Sequence, residues 1–158
     1  MRSPGYILES RLIINEHNQF ENENYFKKLI SSMEGFSWCR NLKKITLSKG
    51  LTTIGFLAFK NCSSLKEITL PSTLEGIGSN AFANTILEKV KVPKNCHLYD
   101  YVFGYNDNLK KIILPNFEIE SGESGIDKGA FRYCDRISDI TFYSRTLPTI
   151  HNLEIKKI

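Results

Sequence analysis

The chain has 158 residues, of which 41% are hydrophobic and 24% charged, a balance typical of one soluble globular domain. No apolar run approaches the ~18 residues needed to span a membrane, and the first ten residues lack the apolar core of a secretory signal. The net charge of +4 gives no strong support to a nucleic-acid or anionic-membrane partner.

Residues 1–34 are predicted to form an N-terminal cap segment. LIIN at 12–15 is a candidate strand, and NYFKKLISSME at 24–34 has the period of an amphipathic helix with Asn24 as its N-cap. The apolar face of this helix would carry Phe26, Leu29, Ile30 and Met33. Because the repeats that follow need a covered end, we expect a lid over the first repeat, with a partner-binding helix as the alternative.

Residues 35–143 consist of internal repeats. Units begin with LKKITL at Leu42, LKEITL at Leu65, LEKVKV at Leu87, LKKIIL at Leu109 and ISDITF at Ile137, so their starts are 23, 22, 22 and 28 residues apart. The shared pattern is L-x-x-I-x-L-P-x-x-L-x-x-I-x-x-x-A-F-x-x-C-x-x. Upstream, EGFSWCRNL at 34–42 matches the end of a unit.

Each unit opens with alternating polar and apolar residues, the period of a half-buried strand. One unit cannot bury its own apolar side chains, so the units are expected to stack as turns of a solenoid, with strands ~4.8 Å apart in a parallel sheet. Equivalent side chains then form columns. These are Leu42, Leu65, Leu87, Leu109 and Ile137; Ile45, Ile68, Val90, Ile112 and Ile140; Leu47, Leu70, Val92, Leu114 and Phe142; and, on the return side, Phe36, Phe59, Phe82, Phe103 and Phe131.

The second unit contains G-x-G-x-x-A, from Gly76 through Gly78 to Ala81, which matches a dinucleotide-binding fingerprint. That fingerprint needs its glycines directly after a strand and at the start of a helix, so that backbone amides face a pyrophosphate. Here the strand ends near Leu70, and Pro71, Ser72 and Thr73 follow it before the glycines. The match is therefore interpreted as a coincidence of the repeat, and no cofactor is expected.

Catalytic and metal-binding patterns are not evident. His17, His97 and His151 are far apart and lack metal-ligand spacing. Cys39, Cys62 and Cys134 share one repeat position, which Thr85 and Asn106 occupy in the units between, and this predicts small buried residues in a column. A Cys39–Cys62 disulfide is sterically allowed but is not the favoured interpretation. The chain is therefore not expected to be an enzyme.

The fourth unit carries an acidic insertion, FEIESGESGID at 117–127, with Glu118, Glu120, Glu123 and Asp127. It lacks the residue order of a calcium loop, so a contact loop is favoured over a cation site. Residues 144–158, SRTLPTIHNLEIKKI, contain too little apolar material for a domain and are interpreted as a C-terminal extension.

The units resemble the short leucine-rich repeats of BspA-like microbial surface proteins, a class first typified by a treponemal protein. The resemblance rests on L-x-x-I-T-L-P-S-T-L-x-x-I-G-x-x-A-F at 65–82, on A-F-x-x-C at 58–62 and 130–134, and on TFYSRTLPTI at 141–150, which is similar to the tail after the last repeat. It implies an α/β repeat solenoid: a right-handed coil with a parallel sheet on one face, irregular return segments and a short N-terminal capping helix.

The resemblance also implies a protein-binding module, commonly an adhesin displayed at the cell surface or secreted, with no catalytic residues. If Met1 is the native start, the lack of a signal peptide predicts a cytoplasmic protein instead. The expected partner is a protein ligand such as a host extracellular-matrix or plasma protein. The alternative is a scaffold that self-associates within a larger protein, without a foreign ligand.

The exposed side of the sheet is the candidate binding surface. Strand alternation turns ten side chains outward: Lys44, Thr46, Glu67, Thr69, Lys89, Lys91, Lys111, Ile113, Asp139 and Thr141. Lys89, Lys91 and Lys111 are adjacent in the middle and predict a basic strip. No aromatic residue interleaves these lysines to stack bases, so nucleic acid is not an expected partner. A merely solvated face is the alternative.

Overall fold

The computed structural model describes residues 23–115 and 125–143. Several sequence predictions fall outside these ranges: the strand at 12–15, His17 and His151, Glu118, Glu120 and Glu123 of the insertion, and the extension 144–158.

The described chain contains one helix and eight short strands. The helix α1 spans Glu23–Ser31. The strands are β1 (Lys44–Thr46), β2 (Thr53–Ile54), β3 (Glu67–Thr69), β4 (Gly76–Ile77), β5 (Lys89–Lys91), β6 (His97–Leu98), β7 (Lys111–Leu114) and β8 (Asp139–Phe142). No helix in the described part of the chain is long and apolar enough to cross a membrane.

All strand pairs are parallel, and the chain forms the predicted solenoid. On one side lie the sheets β1-β3 and β5-β7-β8, with the predicted register, for example Val90 opposite Ile112 and Ile112 opposite Ile140. The return segments, expected to be irregular, are more regular than that. They contain a second parallel sheet, β2-β4-β6, extended by a bridge between Leu98 and Ile126.

The phenylalanine column is the most regular part of the core. Rings of Phe36, Phe59, Phe82, Phe103 and Phe131 stack with successive centroids 5.3, 5.2, 5.5 and 5.4 Å apart and nearly parallel planes. Their backbone amides bond from turn to turn as well: the N–H of Phe82, for example, donates to the Val102 carbonyl at 2.8 Å. Side chains and backbone therefore repeat with one spacing.

Each of these phenylalanines has a residue of positive φ two positions before it and two positions after it. The preceding residues are Glu34, Leu57, Asn80, Tyr101 and Gly129, and the following ones are Trp38, Asn61, Asn84, Tyr105 and Tyr133. Positive φ is uncommon for residues other than glycine and asparagine, so the aromatic residues here hold a less favoured backbone conformation. The tight turn is thus imposed by the stack rather than by local preference.

One prediction about the first sheet is wrong, because the sheet is interrupted. No strand pairing joins β3 to β5, although the return sheet and the phenylalanine column run through the same two turns without a break. The spacing from the column phenylalanine to the next strand leucine explains this. It is six residues in the other described turns, as from Phe59 to Leu65, but five from Phe82 to Leu87.

The missing residue removes a turn at the start of β5. Elsewhere the leucine amide closes a turn onto the carbonyl three residues earlier, as in Leu65 N–H to Cys62 O at 2.9 Å and Leu109 N–H to Asn106 O at 3.0 Å. In the shortened segment the Ile86 N–H donates instead to the Leu65 carbonyl at 3.1 Å. The chain then enters β5 out of step with β3, which opens the ladder.

Two expectations for the ends of the solenoid are also wrong. Ile140 is 38% exposed rather than in the core, because β8 pairs only with β7 within the described residues and this turn is covered from one side. At the other end, α1 stops at Ser31, so Met33 lies beyond it and is 67% exposed. Asn24 lies inside the helix, which begins at Glu23, and is not its N-cap.

Helix α1 contacts the second strand of the first turn. Ile30 is fully buried, its carbonyl accepts the Gly55 N–H at 2.8 Å, and the Ser31 hydroxyl donates to the Thr53 carbonyl at 3.1 Å. A Cβ on Gly55 would lie 2.1 Å from the Ser32 carbonyl oxygen, so only glycine admits this close approach. The capping function of the helix stays a prediction.

Candidate functional site

The ten predicted face residues lie on the five strands β1, β3, β5, β7 and β8, and none of them is buried. Alternation gives the pattern directly: in β5, for example, Lys89 and Lys91 are exposed on either side of buried Val90. The structure therefore brings the predicted residues together on one surface, here called the sheet face. Its binding function remains a prediction.

Ion pairs link neighbouring strands across the sheet face. Lys44 Nζ lies 2.9 Å from Glu67 Oε2, and Lys111 pairs with Asp139. The hydrogen bond and charge of Lys44 hold the pKa of Glu67 below its usual value. For Asp139 the main cause of a lowered pKa is the hydrogen bond from Lys111, followed by that from Thr141. These acids are ionised at neutral pH and cancel the charge of their lysines.

The basic strip is therefore narrower than the sequence predicts. Lys111 is neutralised, whereas Lys89 and Lys91 make no ion pair with any residue of the described ranges. Lys91 instead lies over the ring of Tyr143, with Nζ 5.2 Å from the ring centroid. Tyr143 thus lies beside the strip rather than between its lysines, and its hydroxyl donates to the Val92 carbonyl at 3.1 Å.

The interruption between β3 and β5 forms a cleft of about 480 Å³ in the sheet face. It is lined by Lys66, Glu67, Ile68, Thr69, Leu70, Glu88, Lys89 and Lys91. Where β3 and β5 begin, Lys66 and Glu88 form an ion pair of 3.3 Å across the gap. Ile68 and Leu70, which the sequence places in the core, are only partly buried because they border this opening. Four of the ten predicted residues thus line a cavity that the sequence analysis missed.

The glycine motif serves packing rather than phosphate binding. Gly76 begins strand β4, and the amides of both glycines are used within the solenoid: Gly76 N–H donates to Thr52 O at 3.3 Å and Gly78 N–H to Ile54 O at 2.8 Å. A Cβ on Gly78 would lie 2.7 Å from the Phe56 amide nitrogen. The interpretation as a coincidence of the repeat agrees with this use of the amides.

The cysteine column is buried, as predicted, and none of the four cysteines forms a disulfide bond. The Cys62 thiol donates to the Phe36 carbonyl at 3.1 Å and the Cys134 thiol to the Phe103 carbonyl at 3.0 Å. Burial raises the pKa of Cys134 and of Cys96 to about 12. These thiols are protonated at neutral pH and are not poised as nucleophiles.

His97 lies in β6 and contacts Asp127, with Nε2 2.9 Å from Oδ1. This contact joins the two turns on either side of the insertion and uses the one insertion carboxylate that the structure describes. Among the described residues no group of three or more histidine, cysteine or acidic side chains could hold a metal ion.

A second surface feature was not predicted. Arg132 lies over the rings of Tyr133 and Tyr101, with Cζ 5.0 and 5.8 Å from the centroids, and its Nη1 donates to the Tyr101 hydroxyl at 2.8 Å. That hydrogen bond is the main cause that raises the pKa of Arg132. Tyr105 stacks on Tyr133 at 4.7 Å. This feature could have been predicted from the tyrosines that lie two positions before or two positions after the column phenylalanine in successive units.

Comparison with known proteins agrees with this architecture. The family model described as "BspA type Leucine rich repeat region" matches residues 28–153, in six copies. A crystal structure of a leucine-rich repeat protein from T. pallidum is 26% identical, with a TM-score of 0.60, and the alignment covers 68% of this chain and 49% of that one. The chain thus spans about half the length of the treponemal protein.

A leucine-rich cell surface protein from Faecalibacterium prausnitzii is also 26% identical, with a TM-score of 0.44 and coverage of 75% of this chain and 24% of that one. The comparison with curated proteins finds no match. The family model covers well over half of the sequence, including most of the residues that the structure describes. The chain therefore belongs to the BspA-type leucine-rich repeat family.

Proposed function

We propose that this domain is an adhesin-like protein-binding module that recognises a protein ligand through the sheet face. Leucine-rich repeat domains are non-enzymatic scaffolds that generally mediate protein–protein interaction, and solenoids of this kind bind along an extended repeat surface. The observation that carries the proposal is the sheet face itself. Its ten side chains are presented by five parallel strands, and two of its cations, Lys89 and Lys91, have no acidic partner in the described ranges.

The proposed ligand class is a host extracellular-matrix or plasma protein. The test is biolayer interferometry of the purified chain against a panel of such proteins, at low and at physiological salt. Bulky substitutions Thr46→Trp and Thr141→Trp would each obstruct one end of the sheet face, because both residues are exposed on edge strands. We expect saturable binding to a panel member that either substitution weakens by about tenfold.

The matched controls are Lys60→Gln and Lys128→Gln, which lie on the turns beside the phenylalanine column and leave the sheet face intact. Binding that is unaffected by both tryptophan variants but lost in a control would move the site away from the sheet face and contradict the proposal.

Self-assembly is the second candidate function. It is favoured by one observation: within the described residues β8 pairs only with β7, and Ile140 of that strand is 38% exposed. An exposed strand edge and apolar side chain together are a template for another chain. Concentration-dependent oligomers in analytical ultracentrifugation that dissociate on Ile140→Lys, with no ligand in the panel, would favour this function over the first.

A further inference from the structure

The cleft between β3 and β5 contains backbone groups that form no hydrogen bond between these strands, as well as charged side chains. No backbone hydrogen bond joins these two strands among the described residues. Val92 N–H donates to the Ile113 carbonyl in β7 at 2.9 Å, and backbone groups alternate in direction along an extended strand. The amides of Lys89 and Lys91 in β5 therefore point toward β3, where the ladder is interrupted.

The side chains around these amides have complementary chemistry. Lys89 and Lys91 line the same border of the cleft and form no ion pair in the described ranges, although the charge of Lys89 acts on Asp139 and the Lys91 ammonium lies over the Tyr143 ring. Backbone N–H groups beside unpaired cations are donors for an anionic oxygen, and such charge-assisted hydrogen bonds are stronger than neutral ones. Ile68 and Leu70 add apolar surface to the opposite border.

The width of the cleft limits what can enter it. Cα atoms of β3 and β5 approach to within 8 Å, whereas an added strand between them would need about 9.6 Å, twice the normal strand spacing. A whole peptide backbone is thus too wide, so a ligand group that enters the gap must be narrower than a strand. Glu67 and Glu88 at the mouth are each paired with a lysine, Lys44 and Lys66, so they oppose an incoming anion only weakly.

From these observations we infer that the cleft binds aspartate or glutamate side chains of an extended, acidic segment of a protein partner. The segment lies on the sheet face, a carboxylate enters the gap to accept a hydrogen bond from the Lys89 or the Lys91 amide, and neighbouring apolar side chains rest on Ile68 and Leu70. This inference rests on the proposed protein-binding function and names the chemistry of the ligand.

The experiment measures fluorescence anisotropy with a labelled peptide of alternating glutamate and valine, beside its glutamine-valine analogue and oligothymidine. We expect saturable binding of the glutamate peptide alone, weakened by salt. In Lys89→Gln/Lys91→Gln the affinity should fall about tenfold or more, since charge-assisted bonds are lost. Lys60→Gln/Lys128→Gln removes the same charge elsewhere and should bind like the unchanged chain.

The decisive variant inserts one serine between Thr85 and Ile86, which restores the six-residue spacing and keeps both lysines. We expect it to close the β3–β5 ladder, to slow hydrogen exchange of the Lys89 and Lys91 amides, and to abolish peptide binding. Thr69→Trp, which covers the cleft from the exposed surface, should do the same to binding and serves if the insertion variant does not fold.

Peptide binding that survives both the insertion and Thr69→Trp would be charge attraction alone and would overturn the inference. Absence of glutamate-peptide binding, or tighter binding of oligothymidine, would also overturn it. If the glutamate peptide fails while a panel protein still binds the sheet face, the inference falls and the proposed function stands. If neither binds, both fall.

Discussion

Asn106 occupies the buried column that cysteines fill in three other turns. Its amide group donates to the Phe82 and Phe103 carbonyls, each at 2.8 Å, and its oxygen accepts a hydrogen bond from the Thr85 hydroxyl. Cys62 and Cys134 satisfy the equivalent phenylalanine carbonyls with their thiols. The column thus selects residues that are small and can donate to a carbonyl, rather than cysteine itself.

This selection predicts an order of stability among variants at the column. Asn106→Ala should lower the free energy of unfolding by about 3 kcal/mol, because it removes three buried hydrogen bonds and, in the described ranges, leaves only the Thr85 hydroxyl and the Cys134 thiol to donate to the Phe82 and Phe103 carbonyls. Asn106→Cys should cost about half as much, because a thiol there has the donor geometry seen in the adjacent turns. Guanidinium unfolding followed by circular dichroism measures both values, with exposed Lys110→Ala as the control. Equal losses in the two variants would contradict the proposed donor requirement.

The two glycines of the G-x-G motif differ in what surrounds them. A Cβ on Gly76 would first meet the Tyr99 ring at 3.6 Å, an ordinary contact, whereas a Cβ on Gly78 would lie 2.7 Å from the Phe56 nitrogen and 2.8 Å from the Gly55 carbonyl carbon. The neighbouring turn approaches Gly78 with its backbone, which cannot rotate away as a side chain can. The two glycines therefore differ because the backbone of the neighbouring turn lies close to Gly78 but not to Gly76.

We therefore expect opposite tolerance at the two positions. Gly78→Ala should destabilise the fold by about 1–3 kcal/mol through overpacking. Gly76→Ala should change the free energy of unfolding by no more than about 0.5 kcal/mol. Thermal unfolding of the matched pair decides between them. A large loss in Gly76→Ala with none in Gly78→Ala would show that the contacts between turns are misassigned.

At the level of the elements, the repeat pattern predicts the structural features that recur in every unit. It does not predict the features that depend on the length of a single turn. The strand registers and the phenylalanine column follow from residues that recur in each unit. The interruption of the sheet was signalled by the step of five positions from Phe82 to Leu87, against six in the other described turns. Comparing strand starts alone hides this deletion, because it lies in the turn. The positions of Ile140 and Met33 depend on what covers the ends, which no repeat encodes.

For the candidate site, strand alternation predicts which side chains face outward but not how they pair. The neutralisation of Lys111 by Asp139 and of Lys44 by Glu67 depends on side-chain reach across neighbouring strands. The contact between Lys91 and Tyr143 joins residues 52 positions apart in the sequence. Such contacts follow only once the turns are stacked.

Across the whole molecule, three sets of contacts run from turn to turn, and one of them stops midway. The sheet face is interrupted between β3 and β5, so the first turns are joined to the later ones by the return sheet and by the column at Phe82 and Phe103. Repeat proteins unfold as a unit only while the coupling between neighbours is strong. Phe82 therefore contributes more to the coupling between the first and the later turns than the other phenylalanines of the column contribute between their own turns.

Trp38, the single tryptophan, lies in the first turn and reports on it, whereas circular dichroism reports on all turns. In guanidinium the two transitions should coincide for the unchanged chain. Phe82→Ala should cost about 3–5 kcal/mol and separate the transitions, because the two halves then unfold independently. Phe36→Ala, at the end of the column, should destabilise without separating them. If the two transitions still coincide in Phe82→Ala, the coupling between the first and the later turns does not depend on Phe82, and the prediction is wrong.

The shortened segment from Phe82 to Leu87 also bears on how such a protein diversifies. A point substitution exchanges one side chain on a surface that otherwise keeps its shape, but the in-frame loss of one codon in a turn changes the relation of two whole strands. Because the aromatic stack fixes the turns independently of these strands, the fold survives the change. Gains and losses of single codons in the turns are therefore a route by which a repeat gene can open or close ligand clefts, turn by turn, without disturbing its core.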